Sequence, residues 1–161
     1  MKRTSFKEWQ CSIAQSVEQI GDSWTLLVLR NAFCGMRRFE DFRDGLNVAS
    51  NILSDRLRHL TDVGILQKVP DPNDGRRVEY RLTEKGMELY PLLVFLLQWG
   101  DKWMPTEEGT RMTLVDRHTG QQLAPIRVTN MGGTEIQATD VSMEPGPGID
   151  DRHHQLATRK R

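Results

Sequence analysis

Apolar residues recur every three or four positions near the start of the chain, at Trp9, Ile13, Val17 and Ile20. Because this spacing puts them on one face of a helix, it predicts an amphipathic helix over residues 7–20, ended by Gly21. The next segment, Trp24–Phe33, is apolar on nearly all sides, which is typical of a central helix. Residues 37–46 predict a shorter third helix, whose inner residues are Phe39, Phe42 and Leu46.

The fourth predicted helix has two faces of opposite chemistry. Its apolar face carries Leu53, Leu57 and Leu60. Its polar face carries Asn51, Ser54, Asp55 and Arg58. Ser50 is a suitable N-cap, and Gly64 ends the helix after Val63. The third and fourth helices, joined by a short turn, therefore predict a helix-turn-helix.

Beyond Gly64 the pattern changes to that of a β-hairpin. Ile65–Val69 predicts one strand, and Pro70–Gly75 is dense in turn-forming residues. Arg77–Leu82 alternates apolar with charged residues, as a half-exposed strand does. The hairpin has a basic tip, and the order helix, strand, basic turn, strand is that of a winged helix.

A long helix is predicted from its cap, Thr83, to about Trp103, with a bend at Pro91. Its middle is apolar all round, whereas one domain covers only about one side of such a helix. We therefore expect a homodimer in which this helix forms the interface. The predicted interface residues are Leu92, Leu93, Phe95, Leu96 and Trp99.

The chain divides into a winged-helix domain over residues 11–104, a linker over 105–110, a small β extension over 111–143 and a disordered tail over 144–161. The extension shows short alternating runs separated by turn signals, which predict two or three strands. It is too short to be stable alone, so we expect it to pack on the dimer. The predicted fold class is α+β, mainly α.

Charge and hydropathy narrow the function. The chain of 161 residues has 22 basic and 22 acidic side chains, so its net charge is zero and non-specific polyanion binding is not expected. The arginines are nevertheless clustered, as Arg37-Arg38, Arg56 with Arg58, and Arg76-Arg77. No apolar run approaches the roughly 18 residues of a membrane span, and the start of the chain lacks a signal-peptide pattern. We expect a cytoplasmic protein without membrane contact.

Catalytic and metal-binding patterns are missing from the sequence. There is no arguable Ser-His-Asp arrangement, no phosphate-binding glycine loop and no apolar carboxylate pair, so an enzyme is the weakest class. The histidines His118, His153 and His154 lack cysteine or acidic partners at ligand spacing and are expected at the surface. No cofactor and no metal are predicted.

The polar face of the fourth helix is predicted to bind double-stranded DNA. Residues that would approach bases in the major groove are Asn51, Ser54, Asp55 and Arg58, and Ser50 at the start of the helix belongs to the same DNA-binding set. Those placed for phosphates are Arg38 and Arg56, and those on the wing tip, near the minor groove, are Arg76 and Arg77. The alternative for the helix arginines is a solvated face with local ion pairs, such as Asp55 or Asp62 with Arg58. Asp55 either accepts from a cytosine amino group or orients Arg58, and we favour the second.

Several stretches together resemble the HxlR-type regulators, a branch of winged helix-turn-helix proteins close to MarR. They are residues 11–30, Arg38-Phe39-x-x-Phe42, Leu53-x-x-Arg56-Leu57-x-x-Leu60, Gly64-Ile65-Leu66, Val78-Glu79-Tyr80-x-Leu82-Thr83-x-x-Gly86 and Trp99-Gly100. The resemblance implies a dimeric bacterial transcription factor on a palindromic operator, associated with the nucleoid through its DNA. Repression is the expected mode, and the alternative is a winged helix that binds protein and has lost DNA binding.

The resemblance also bears on single positions. Cys11 stands where some relatives use a cysteine as a redox or electrophile sensor, and a thiol near a helix N-terminus is often reactive. Its other interpretation is a small apolar residue packed between helices, and Cys34 is expected to be structural. Trp24, Trp99 and Trp103 fill the core and interface or line an effector pocket. The wing, residues 71–77, resembles that of MarR more than that of HxlR.

Overall fold

The computed structural model describes residues 5–72 and 74–148. Its helices are α1 (Ser12–Ile20), α2 (Ser23–Phe33), α3 (Phe39–Leu46), α4 (Ser50–Asp62), α5 (Glu84–Met87) and α6 (Tyr90–Trp103). Its strands are β1 (Leu66–Asp71) and β2 (Asp74–Leu82), which form one antiparallel sheet. The predicted winged-helix order is confirmed.

The core gathers around α2, which contacts α3, α4, α6 and β2. Its most buried side chains are Val28, Leu29, Ala32, Phe42, Leu53, Leu57, Leu60, Ile65 and Leu66. The prediction of a central second helix is confirmed, as is the leucine face of α4. Asp22 caps α2, because its carboxylate accepts from the backbone N–H groups of Trp24 and Thr25.

The first helix is shorter than the predicted range 7–20. It begins at Ser12, and the residues before it fold back along the helix because the Gln15 side-chain amide donates to the carbonyls of Phe6, Lys7 and Trp9. These carbonyls thus accept from a side chain instead of from the backbone N–H groups of a helix. The predicted apolar face is mostly exposed in a single chain, and only Ile20 is buried.

The start of α4 corrects the prediction for Ser50. Ala49 is the N-cap, Ser50 is the first helical residue, and no side chain caps this end. The tight turn from α3 is made by Asn47, whose φ of 47° lies in the left-handed region. Asparagine tolerates that conformation better than most residues, so the turn holds α4 against α3 without a glycine.

The two strands of the wing extend further towards its tip than predicted. Its strands extend to Asp71 and from Asp74, which are paired across the ladder. The predicted alternation fails at two positions, because Glu79 is buried and Val78 is exposed. The backbone N–H of Tyr80 donates to the Arg37 carbonyl at 2.8 Å. This bond ties β2 to the segment before α3 and so fixes which residues of β2 face the domain.

The predicted helix from Thr83 to Trp103 is interrupted rather than bent. Thr83 caps α5 by accepting from the Gly86 N–H, and Pro91 lies in the first turn of α6, where its missing N–H costs nothing. Gly86 lies so close to the Ile65 carbonyl that a Cβ would approach that oxygen to 2.3 Å. Neither α6 nor any other helix in the described part of the chain is long and apolar enough to cross a membrane.

The C-terminal extension corrects the prediction of a small sheet. Between residues 105 and 148 the structure has isolated bridges, Val115 with Gln122 and Thr129 with Glu135, and a 3-10 turn over Ala138–Asp140, but no strand. None of its residues is buried, so little apolar burial favours an extended ladder. Most of the predicted tail, residues 149–161, lies outside the described residues.

Candidate nucleic-acid interface

The outer face of α4 presents the predicted base-reading residues to solvent. Ser50, Asn51, Ser54, Asp55 and Arg58 are all exposed. Leu53, Leu57 and Leu60, on the other side of the same helix, are buried. The helix is therefore anchored by its leucines and leaves a polar strip free to enter a groove of the duplex.

Arg58 and Asp55 form an ion pair on this strip, with the Arg58 Nη2 against the Asp55 Oδ1. They lie one turn apart, and their side chains are 68% and 50% exposed, so the pair itself contributes little stability. Its effect is geometric: the carboxylate restricts the guanidinium to a narrow range of directions. The contact is the one expected if Asp55 orients Arg58.

Arg56 lies on the flank of α4 that faces α2. Its Nη1 is 3.5 Å from the Asp22 Oδ2, and Asp22 also caps α2. Only 22% of the Arg56 side chain is exposed. Arg56 thus joins the recognition helix to the central helix, and the predicted phosphate contact would have to come from the small part that remains accessible.

Arg38 fastens the start of α3 to the wing. Its Nη2 lies 2.8 Å from the Oδ2 of Asp71, whose side chain is fully buried. A buried carboxylate needs a cationic partner, so this pair fixes where the hairpin leaves the domain. Since the Arg38 side chain is still 39% exposed, the predicted phosphate contact stays compatible with this structural one.

The wing tip carries Arg76, the most accessible arginine of the predicted set, and beside it Arg77. The Arg76 side chain is 94% exposed and that of Arg77 65%, and each has its Nε 3.4 Å from a carboxylate oxygen of Asp74. Asp74 therefore gathers both guanidiniums at the turn. These exposed contacts are weak, so DNA phosphates can replace them at little cost.

Two further basic side chains on the wing were not singled out from the sequence. Lys68 is exposed and lies 5.6 Å above the Tyr80 ring, and Arg81 is held by two hydrogen bonds to the Glu79 carboxylate. Burial, and secondarily the charge of Glu40, raises the pKa of Tyr80. The alternation of β1 and β2 could have identified Lys68, which is paired with Tyr80 in the ladder.

The predicted interface residues of α6 are largely uncovered in a single chain. Leu92, Phe95, Leu96 and Trp99 are exposed, and Leu93 is half-buried. Trp103 is exposed as well, so neither Trp99 nor Trp103 fills the core of the chain. On α1, Ile13 and Val17 add a second exposed apolar surface.

Both cysteines are free and exposed. For Cys34 this corrects the expectation of a structural residue, because α2 ends just before it at the surface. The Cys11 side chain is accessible in the single chain beside the start of α1. No cluster of three or more potential metal-binding side chains occurs within residues 5–72 and 74–148.

A family model described as HxlR-like helix-turn-helix matches residues 19–108. The chain belongs to this family. The matched range contains the whole of α2 to α6 and the wing, so every element of the proposed DNA-binding surface lies inside it. The chain is a helix-turn-helix transcriptional regulator, and its relatives are transcription factors rather than enzymes.

Similarity extends beyond the family range into the C-terminal extension. An uncharacterised HTH-type transcriptional regulator of Mycobacterium tuberculosis is 42% identical over 138 residues, covering 86% of this chain and 87% of that protein. The crystal structure of PA1607, a candidate transcription factor, superposes with a TM-score of 0.83 at 38% identity, covering 89% of this chain and 100% of that one. A structure of PA1374 from Pseudomonas aeruginosa has a TM-score of 0.62 at 29% identity, covering 91% and 99%.

Proposed function

We propose that this HxlR-family regulator binds a palindromic operator as a homodimer and represses transcription by occluding the promoter. The observation that carries the proposal is the two-sided α4, with three buried leucines behind an exposed polar strip. Asn51, Ser54 and Arg58 supply the amide, hydroxyl and guanidinium groups that read base edges. A DNA-binding regulator must be in the same compartment as the chromosome, so we propose that it is cytoplasmic.

The wing supports the same function. Arg76 and Arg77 are exposed at the end of a hairpin that the Arg38–Asp71 pair holds in a fixed position. Cations at such a tip contact the DNA backbone beside the major groove that α4 enters. The exposed arginines of α4 and the wing supply cations at this surface although the whole chain has zero net charge.

The uncovered apolar surface of α6 supports the homodimer. Leu92, Phe95, Leu96 and Trp99 form a strip of large apolar side chains that water would otherwise contact. In the proposed dimer a second copy covers this strip, and the two α4 helices act on one operator. They would then meet half-sites one helical turn apart, roughly 34–36 Å.

A gel-shift titration with the DNA upstream of the protein's own gene tests the proposal. We expect Arg58→Ala and Arg76→Ala each to weaken binding about tenfold or more, a loss typical of one charged contact. Arg127→Ala is the matched control, since Arg127 lies in the extension, paired with Glu135. Sedimentation must show the same dimer for all variants. No shift with any DNA at low salt would instead favour a protein-binding winged helix.

A second proposal concerns Cys11, which we infer acts as an oxidant sensor of the regulator. Its thiol is free and exposed, and it lies beside the first turn of α1. Oxidant should change the gel shift of the wild type and of Cys34→Ser, but not that of Cys11→Ser. An unchanged response in Cys11→Ser would eliminate this proposal and leave DNA binding untouched.

A further inference from the structure

A deep groove runs between α2, α6 and the first part of the C-terminal extension. Its volume is about 610 Å³, within the range of roughly 300–1,000 Å³ that small-molecule sites occupy. The walls are mainly apolar, and the side chains that form them include Leu27, Phe33, Leu93, Leu97 and Leu114. Such a lining favours an apolar ligand body.

The polar groups of the groove are unevenly charged. Arg30, Arg111 and Arg117 line it together with a single acidic residue, Asp101. Arg111 is already engaged, with its Nη1 at 2.7 Å from the Met104 carbonyl and 3.5 Å from the Asp101 Oδ1. Among residues 5–72 and 74–148, the other two arginines of the wall, Arg30 and Arg117, have no acidic partner.

Arg30 and Arg117 have hydrogen-bond donors without an acceptor among the described residues. The Arg30 Nε donates to the Asn31 side chain, whereas its terminal nitrogens have no partner among the described residues. The same holds for the whole guanidinium of Arg117. Arginine forks bind carboxylate and phosphate groups through paired charge-assisted hydrogen bonds, so they are suited to an anionic head group.

We infer that this groove binds an amphipathic anion, a ligand with one apolar body and one carboxylate or similar head group held by Arg30 and Arg117. A second copy of the chain is the competing occupant, and the geometry of α6 argues against it. Leu96 belongs to both surfaces, but Leu92, Phe95 and Trp99 do not line the groove, so most of the apolar strip of α6 lies outside it and stays available for self-association.

The groove is placed to act on DNA binding, and this part of the inference rests on the proposed function. One wall is α2, which also packs against α4 and is joined to it by the Asp22–Arg56 pair. A ligand that shifts α2 relative to α6 would therefore move the recognition helix. Only a ligand with different affinities for the two arrangements can change operator binding.

Calorimetric titration of the full chain with octanoate tests the site without DNA. We expect one octanoate per chain, at least tenfold weaker binding of 1-octanol, and about fourfold tighter binding for each methylene added to the acid. Arg30→Gln and Arg117→Gln should each weaken octanoate about tenfold. Arg127→Gln, in the same extension but outside the groove, should change nothing.

Three results would overturn the inference: no octanoate binding, equal binding of octanoate and 1-octanol, or equal losses in Arg117→Gln and Arg127→Gln. Affinity that falls as protein concentration drives self-association would show that a second copy fills the groove. Thermal melts of both arginine variants must match the wild type. Arginine-dependent octanoate binding in a chain that shifts no DNA would leave the site standing and the repressor proposal lost.

Discussion

The winged-helix domain and the C-terminal extension are stabilised in different ways. In the domain, helices α2, α3 and α4 and the hairpin bury a continuous apolar cluster. In residues 105–148, none is buried, and the segment is attached to α6 by polar contacts instead. The Gln98 amide exchanges hydrogen bonds with the Ala124 carbonyl and the Ile126 N–H, and Asp101 pairs with Arg111.

Apolar burial folds the domain, whereas contacts with α6 hold the extension in place. Burial of apolar surface is the main favourable term in folding, so the domain carries its own stability. The extension depends on a surface provided by α6 and contributes little of its own. It can therefore loosen while the domain stays folded, which is typical of segments with few buried contacts.

The largest expected contrast is between two leucines truncated to alanine. Leu57 is fully buried on the inner face of α4. Leu57→Ala should therefore lower the free energy of unfolding by about 3 kcal/mol through lost burial and the cavity left behind. Leu114→Ala in the extension, where the side chain is half-buried, should cost less than about 1 kcal/mol. Urea unfolding followed by circular dichroism measures both. Equal losses would mean that the extension belongs to the cooperative core.

A second contrast uses ion pairs of the two regions. Arg38→Met leaves the buried Asp71 carboxylate without its cation and should destabilise the domain by about 2 kcal/mol. Arg127→Met removes the exposed pair with Glu135 and should cost less than about 0.5 kcal/mol. The same urea titrations give both values. An Arg38→Met protein of full stability that still loses DNA binding would show that Arg38 serves phosphates alone.

The sequence predicted the domain well because its pattern is set by burial. The leucines of α4, the apolar α2 and Thr83 as a cap all follow from local spacing and local chemistry. The exposed members of the candidate site followed for the same reason, since the polar face of α4 is what the leucine face leaves outside. These features require no knowledge of distant contacts.

The features that the sequence did not predict depend on particular side-chain contacts, some of them between residues far apart in the chain. The shortened α1 results from Gln15 bonding to the preceding segment, and the structural duties of Arg38 and Arg56 depend on Asp71 and Asp22. The extension was predicted as strands because its residues alternate, yet alternation without a face to bury makes only isolated bridges. One prediction for Trp24, Trp99 and Trp103 was an effector pocket, but none of the three lines the groove beside α6, whose walls come from segments distant in sequence.

The attachment of the extension can be tested at one residue. Gln98→Leu removes both hydrogen bonds to residues 124 and 126, and we expect the attachment to weaken by about 1 kcal/mol. Limited proteolysis should then cleave residues 105–148 several times faster, with the melting of the domain unchanged. Gln137→Leu is the control, since that exposed side chain lies in the extension itself. Unchanged cleavage in Gln98→Leu would mean that apolar contacts hold the extension.

The smallest expected effect belongs to the wing and appears only in alkali. Burial, with a further contribution from Glu40, raises the pKa of Tyr80 above its ordinary value of 10.0. As the pH rises past about 10, the unfolded chain loses this proton before the folded chain does, so stability falls with pH. Below that pH both states hold the proton and the wild type keeps its full stability.

Tyr80→Phe should therefore lose less stability than the wild type between about pH 7 and about pH 10.5, measured as the shift in urea midpoint. Every other titrating group, including Tyr90, is common to both proteins, so the difference isolates the Tyr80 hydroxyl. The extension contains no tyrosine, so cleavage of residues 105–148 should show no such difference between the two proteins. Equal alkaline losses in both proteins would mean that the Tyr80 hydroxyl ionises as readily in the folded wing as in the unfolded chain.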